Sequence, residues 1–203
     1  MKLKLIAYPE FFEGEEQIVS LLLQKYNFTF HLRKPNASVD EYRKFLQNIP
    51  EVLHARIMLH DAFELYKEFV VQGLHFSTQN RNKIDGFQSG TKSTSCHSIV
   101  EAGEWDGKVE SMFLSPVYPS ISKQGYTSVL SKTEVKNYLH QPRISNVFAL
   151  GGIDTKNIPE IAKMGFDGIT VLGAIWGIEP GDYNKVESRL KTLVECLSHV
   201  HIA

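Results

Sequence analysis

Eight short apolar runs recur along the chain, at 2–8, 28–33, 55–61, 73–76, 92–96, 111–115, 146–150 and 168–172. Most are followed by an amphipathic stretch, at 15–25, 39–47, 63–70, 98–105, 132–139, 154–163 and 183–198. Several of the runs are apolar almost without interruption, the pattern of parallel strands covered on both faces. Strands alternating with helices imply right-handed βαβ units and a parallel sheet. Eight such units in 203 residues is the lower limit of an eightfold barrel. The reading is therefore a single (β/α)8 TIM-type barrel spanning 1–203. An open doubly wound sheet is the competing architecture, but no dinucleotide-binding glycine loop follows the first run. Residues 77–90 (STQNRNKIDGFQSG) are polar without a period, so the fourth helix is expected to be missing or reduced.

Composition narrows the function. The net charge is -1 and the pI about 6.7, which gives no global attraction to nucleic acid or to an anionic membrane. No stretch reaches the ~18 apolar residues of a membrane helix. The first residues, MKLKLIAYPEFF, lack the apolar core of a signal peptide and read as a first strand. Cys96 and Cys196 are far apart and form no metal-type pair, so a reduced, cytoplasmic setting is expected.

In a parallel barrel the loops after the strands build the site, so polar residues at strand C-termini are the candidates. Gly151-Gly152 ends the seventh run and Gly173 the eighth. Bare backbone there lets amides approach a ligand. A short helix starting near Gly173-Ala174 would aim its positive end at an anion. Barrels frequently hold phosphate after strands seven and eight; simple turn glycines are the alternative. Asp154 reads as the N-cap of the helix between them. After the sixth run, "SPVYPSISKQGYTS" is rich in hydroxyls and holds one cation, Lys123. Ser120, Ser122 and Lys123 either close over a polyanion or form an ordinary polar loop.

After the second run, "HLRKPNAS" puts Arg33 and Lys34 at a strand end. Read as buried, the arginine needs an anionic partner, phosphate or a salt bridge. His31 shares a face with Arg33 or points into the barrel. After the third, Asp61 beside His60 suits either Mg²⁺ or a helix cap. "GLHFSTQN" offers His75 and Asn80, and "STSCHS" offers Ser95 and His97. With eight histidines, position alone assigns none as a base. Cys96 reads as an inert buried thiol.

Two segments are specific enough to suggest a family. "LSPVYPSISK" is similar to the G-P-[VI]-[FY]-P-T-x-[TS]-K loop of the thiamine phosphate synthase/TenI superfamily, and "ALGGID…GFDGITVLGAIW" resembles its glycine-bearing last third. The resemblance runs through most of the chain. It implies transfer of hydroxymethylpyrimidine from its diphosphate to a thiazole phosphate, with Mg²⁺, giving thiamine phosphate and diphosphate. It implies a dissociative displacement needing charge neutralisation and placement more than acid–base groups.

Carried over by position, Arg33 matches the diphosphate-binding arginine of a Q-x-R-E-K motif. Asp61 matches the Mg²⁺ aspartate of an Asn-Asp pair, and Ser95 a serine contacting the pyrimidine diphosphate. Ser120, Ser122 and Lys123 match the Thr-x-Thr/Ser-Lys loop, and Gly152, Leu172 and Gly173 the cradle of the thiazole phosphate. Three departures stand out. His31 occupies the Gln position and Lys34 precedes Pro35, so the motif lysine is lost or displaced to Lys34. His60 replaces the Asn of the Asn-Asp pair. The second metal carboxylate falls on Asn80, which neutralises less charge. The pyrimidine half is thus altered and the thiazole phosphate half intact. TenI-type relatives isomerise thiazole phosphate with a histidine where this chain has Pro116, so a tautomerase is the alternative enzyme. A non-catalytic binder of thiazole or thiamine phosphate is the third reading. Family members are often oligomeric, which leaves a homo-oligomer open.

Overall fold

The computed structural model describes residues 1–119 and 130–200. Eight parallel strands close on themselves in chain order. They are β1 Lys2–Ile6, β2 Thr29–Leu32, β3 Ile57–Leu59, β4 Gly73–Phe76, β5 Thr91–Cys96, β6 Ser111–Leu114, β7 Asn146–Leu150 and β8 Gly168–Val171. Closure is made by β8 against β1, with Lys4 opposite Thr170 and Leu5 opposite Val171. The expected barrel is therefore the one observed.

Alternation explains the two apolar clusters. Leu3, Leu5, Phe30, Leu32, Ile57 and Leu59 belong to a large shell shared with the helices. Ile6, Phe113 and Phe148 form a separate small cluster inside the barrel. Most of the other inward positions are polar: Lys4, His31, His75, Ser93, Ser111 and Thr170 are all buried. The outer shell supplies most of the apolar burial, and the interior is left to chemistry.

The helices are α1 Glu15–Lys25, α2 Val39–Gln47, α3 Glu51–His54, α4 Ile99–Trp105, α5 Lys132–Leu139, α6 Ile158–Met164, α7 Gly173–Trp176 and α8 Tyr183–Ser198. α2 carries a capping box between Ser38 and Glu41. α1 buries Ile18, Val19, Leu22 and Leu23, a stripe at helical spacing. Residues 77–90 hold only a 3₁₀ turn, Arg81–Gly86, so the fourth helix is indeed reduced. That turn is pinned by Arg81, whose guanidinium reaches Glu101 and Thr94 and lies over Trp105.

Two expectations are corrected. The third helix, expected over 63–70, is a 3₁₀ turn at Phe63–Lys67. It is entered through Ala62 in the left-handed region, with no side-chain cap. Nor does Asp154 cap α6, which begins after Asn157. Asp154 and Asn157 instead exchange side-chain to backbone bonds in the turn before it, Asp154 accepting from Lys156 N–H and Asn157 Oδ1 from Asp154 N–H. No helix of the described residues is long and apolar enough to cross a membrane.

Candidate active site at the barrel mouth

Parallel closure puts every strand C-terminus on one rim. Arg33 follows β2, Asp61 follows β3, Asn80 follows β4, Ser95 lies near the end of β5, and Gly152, Leu172 and Gly173 follow β7 and β8. Side chains tie neighbouring strand ends together. Tyr42 Oη accepts from Lys34 N–H at 2.6 Å and donates to Asp61 Oδ2 at 3.1 Å, joining the ends of β2 and β3. Burial, reinforced by the Asp61 charge, pushes the Tyr42 hydroxyl far above the ordinary tyrosine range, so it stays a donor. Asn80 Nδ2 reaches the His60 carbonyl at 3.5 Å. Asn80 Oδ1 is buried with no hydrogen-bond partner. Asn80 Oδ1, without a partner, and the Asp61 carboxylate, with one oxygen engaged by Tyr42, are oxygen donors of the kind that Mg²⁺ accepts, and their chemistry fits that ion. The helix-cap reading of Asp61 falls, since its carboxylate is turned to Tyr42 and the following turn has no side-chain cap.

Below the rim lies a cluster that single positions did not predict. His31 is fully buried and points into the barrel, with Nδ1 2.9 Å from His60 Nε2. The His60 and His75 rings stack at 4.1 Å. His75 is held from both sides, Nδ1 2.8 Å from Ser93 Oγ and Nε2 2.9 Å from Ser95 Oγ. Phe113 forms the floor, 4.8 Å from His31 and 4.5 Å from His75. Burial is the main cause holding all three imidazoles well below the ordinary histidine range, helped by the positive charge of Lys4. They are neutral at physiological pH. Lys4 sits deeper, Nζ 2.6 Å from Ser111 Oγ and 4.0 Å from the Phe148 ring centroid. Burial, with Lys2 nearby, lowers it to about 7.

Arg33 is exposed rather than buried, and it makes no ion pair with a described residue. It needs no internal partner and is available to an anion. Lys34 is the reverse. Its ammonium lies 2.5 Å from Glu15 Oε2, 2.7 Å from Oε1 and 2.9 Å from the Glu10 carbonyl, and both side chains are buried. Its expected role in substrate binding gives way to an internal one: the ammonium is engaged by Glu15 and the Glu10 carbonyl, and the backbone N–H by Tyr42.

At the opposite arc, Gly152 adopts φ +61°, and a Cβ there would lie 2.4 Å from the Pro119 carbonyl oxygen. The glycine admits the 118–119 backbone of the neighbouring loop. Its missing side chain therefore opens space for protein, not for ligand. Its amide remains unused, however: the N–H groups of Gly152, Gly173 and Ala174 donate to no described backbone group. Ser120, Ser122 and Lys123 lie outside the described residues. His97, exposed, has Nδ1 3.2 Å from the Ser115 carbonyl. Cys96 is buried, its thiol pushed up to about 12, mainly by burial, in keeping with an inert role. Lys4 and Tyr42 are the residues sequence reasoning missed. Lys4 alternates with Leu3 and Leu5 in a strand covered on both faces, a signal that it must face the interior.

Fold and rim together define a (β/α)8 barrel enzyme with its polar groups at the strand C-termini. A family model described as thiamine monophosphate synthase matches residues 5–175. The chain belongs to that family. It is 27% identical over 159 residues to a thiamine-phosphate synthase of Latilactobacillus sakei, covering 73% of this chain and 70% of that one. A thiamine phosphate pyrophosphorylase of Bacteroides thetaiotaomicron superposes with TM-score 0.86 at 31% identity, over 99% of this chain and 100% of the other. One from Pyrococcus furiosus superposes with TM-score 0.76 at 20% identity, over 97% and 96%, a likeness of fold.

Proposed function

We propose that the protein is a transferase of thiamine biosynthesis, working in the cytoplasm, that joins hydroxymethylpyrimidine diphosphate to thiazole phosphate and releases diphosphate. The observation that carries this reading is the pair of anion-ready features on one rim. The amides of Gly152, Gly173 and Ala174, which donate to no described backbone group, suit a phosphate. Across the mouth, exposed Arg33 with Asp61 and the orphaned Asn80 oxygen suits a diphosphate and its cation. Family membership supplies the pairing of these two ligands in one reaction.

The work of each residue follows from its chemistry. Arg33 binds the diphosphate through its planar fork and stabilises the charge that grows as the bond to the pyrimidine methylene breaks. Asp61 and Asn80 hold Mg²⁺, which when bound supplies further positive charge to the leaving group. Ser95, fixed by the His75 imidazole, orients the pyrimidine diphosphate. His31 and His60 line the floor of the same half. Ser120, Ser122 and Lys123, outside the described residues, are assigned phosphate contacts by the family resemblance alone. Gly152, Leu172 and Gly173 place the thiazole so that its nitrogen meets the carbocation as the diphosphate departs. Neutral, buried imidazoles suit this reaction, because the displacement asks for no proton at the carbon.

Incubation with Mg²⁺ and both substrates is expected to release diphosphate in step with thiamine phosphate. Absence of diphosphate would refute the reading. His97, against Ser115, keeps a second reading alive, thiazole phosphate tautomerisation. Solvent proton exchange into thiazole phosphate alone, lost in His97→Gln, would establish it.

A further inference from the structure

The three interior histidines are more than a hydrophobic floor. Nitrogen atoms of His31, His60 and His75, one from each ring, all lie within 4.8 Å of one another, and all three residues are buried. His31 Nε2 has no hydrogen-bond partner. Two of the rings stand where the family resemblance places amide side chains, at the Gln and Asn positions. The chain has therefore gained two nitrogen donors beside His75, while Asn80 has replaced a carboxylate. The exchange favours a borderline metal over a hard one.

We propose that His31, His60 and His75 form a tri-histidine site for a transition-metal dication such as Zn²⁺, inside the barrel and separate from the Mg²⁺ position at Asp61 and Asn80. Zn²⁺ bound to imidazoles at about 2.0–2.1 Å in tetrahedral geometry needs nitrogens roughly 3.3 Å apart. The His31–His60 contact of 2.9 Å opens by a few tenths of an ångström, and the widest separation closes by about 1.5 Å. Turning His75 Nε2 to the cation exchanges its bond to Ser95 for the metal bond. No proton need leave: each neutral ring carries one hydrogen and two nitrogens, so a tautomer shift moves the hydrogen shared by His31 and His60 to an outer nitrogen. Lone pairs then face the cation. Ser93, on His75 Nδ1, is the outer partner that fixes this ring. Three protein ligands leave a position for water or for a ligand entering past Ser95. Mg²⁺, which prefers oxygen, is not the occupant. Lys4 is a like charge in the same interior and opposes the cation.

The test uses the full chain, stripped of metal and titrated with Co²⁺ in the absence of substrates. One equivalent is expected to give the visible absorption of a four-coordinate, nitrogen-rich site. Ser93→Ala should weaken Co²⁺ by about 10- to 100-fold, and His31→Gln or His60→Asn by more. Asp61→Ala should leave the spectrum unchanged, while Lys4→Met should tighten binding. X-ray absorption on the Zn²⁺-loaded wild type needs no variant and should count three imidazoles. Fewer than three imidazoles, a spectrum lost in Asp61→Ala, or weaker binding in Lys4→Met would each overturn the assignment. None of these readouts depends on synthase activity.

Discussion

Replacing Lys4 by Met tests how the barrel interior tolerates charge. Lys4 is 8% exposed, and burial lowers its ammonium from 10.5 to about 7. Each pH unit of that difference is worth about 1.4 kcal/mol, so holding Lys4 charged inside the fold costs on the order of 5 kcal/mol. The sign follows from linkage. Below pH 7 both folded and unfolded chains carry the proton, and the full cost is present. Between about 7 and 10.5 the unfolded chain binds more protons than the folded one, so stability rises with pH. From pH 7 to pH 9 the wild type should gain about 3 kcal/mol relative to a variant without the amine. That cost is net of the contact with Phe148 and the bond to Ser111, which act on the same charge. Lys4→Met combined with Ser111→Ala, which avoids stranding the hydroxyl, should therefore be more stable than wild type at pH 6. It should lose most of that advantage by pH 9. Urea unfolding at several pH values measures the difference. A gap that stays constant from pH 6 to 9 would show that Lys4 keeps its proton throughout, and the reasoning would fail.

Three further outcomes follow from the same geometry. Lys34→Met strands Glu15, whose carboxyl burial already pushes up to about 7, and should cost about 3–5 kcal/mol in denaturant unfolding; adding Glu15→Leu should recover most of it, and no recovery would deny the pairing. Asn80→Asp restores a carboxylate beside Asp61 and should raise Mg²⁺-dependent diphosphate release; an unchanged rate in an already active protein would argue against a weakened metal site. Gly173→Val places bulk at the start of α7 and should raise KM for thiazole phosphate at least about tenfold, the equivalent of ~1.4 kcal/mol, while leaving KM for the pyrimidine diphosphate unchanged; equal changes in both would dissolve the division of the site.

How much of this was readable beforehand depended on whether a feature is local. The strands were legible because parallel strands covered on both faces leave an unbroken apolar signature, and the turns after β7 and β8 because glycine marks them. The third helix was misread because its apolar spacing suits a helix, yet nothing at Asp61 or Ala62 caps it. Lys34 was misread because its partner lies on α1, 19 residues earlier, and no spacing rule connects them. The histidine cluster was invisible for a like reason. His31 and His60 are 29 residues apart, and they meet only because barrel closure turns alternate residues of β2, β3 and β4 toward one axis.

That closure also explains why the departures from the family pattern group as they do. His31 lies in β2, and His60 and Asn80 follow β3 and β4, whereas Gly152 and Gly173 belong to the arc of β7 and β8. A change on the first arc alters inward side chains and the groups they bond. On the second arc the groups proposed to hold phosphate are backbone amides, which side-chain replacement does not remove. On the proposed reading the first arc is therefore free to exchange amides for imidazoles, and a carboxylate for an amide, without disturbing phosphate capture on the second. A barrel of this kind can shift its metal chemistry while keeping one of its substrates.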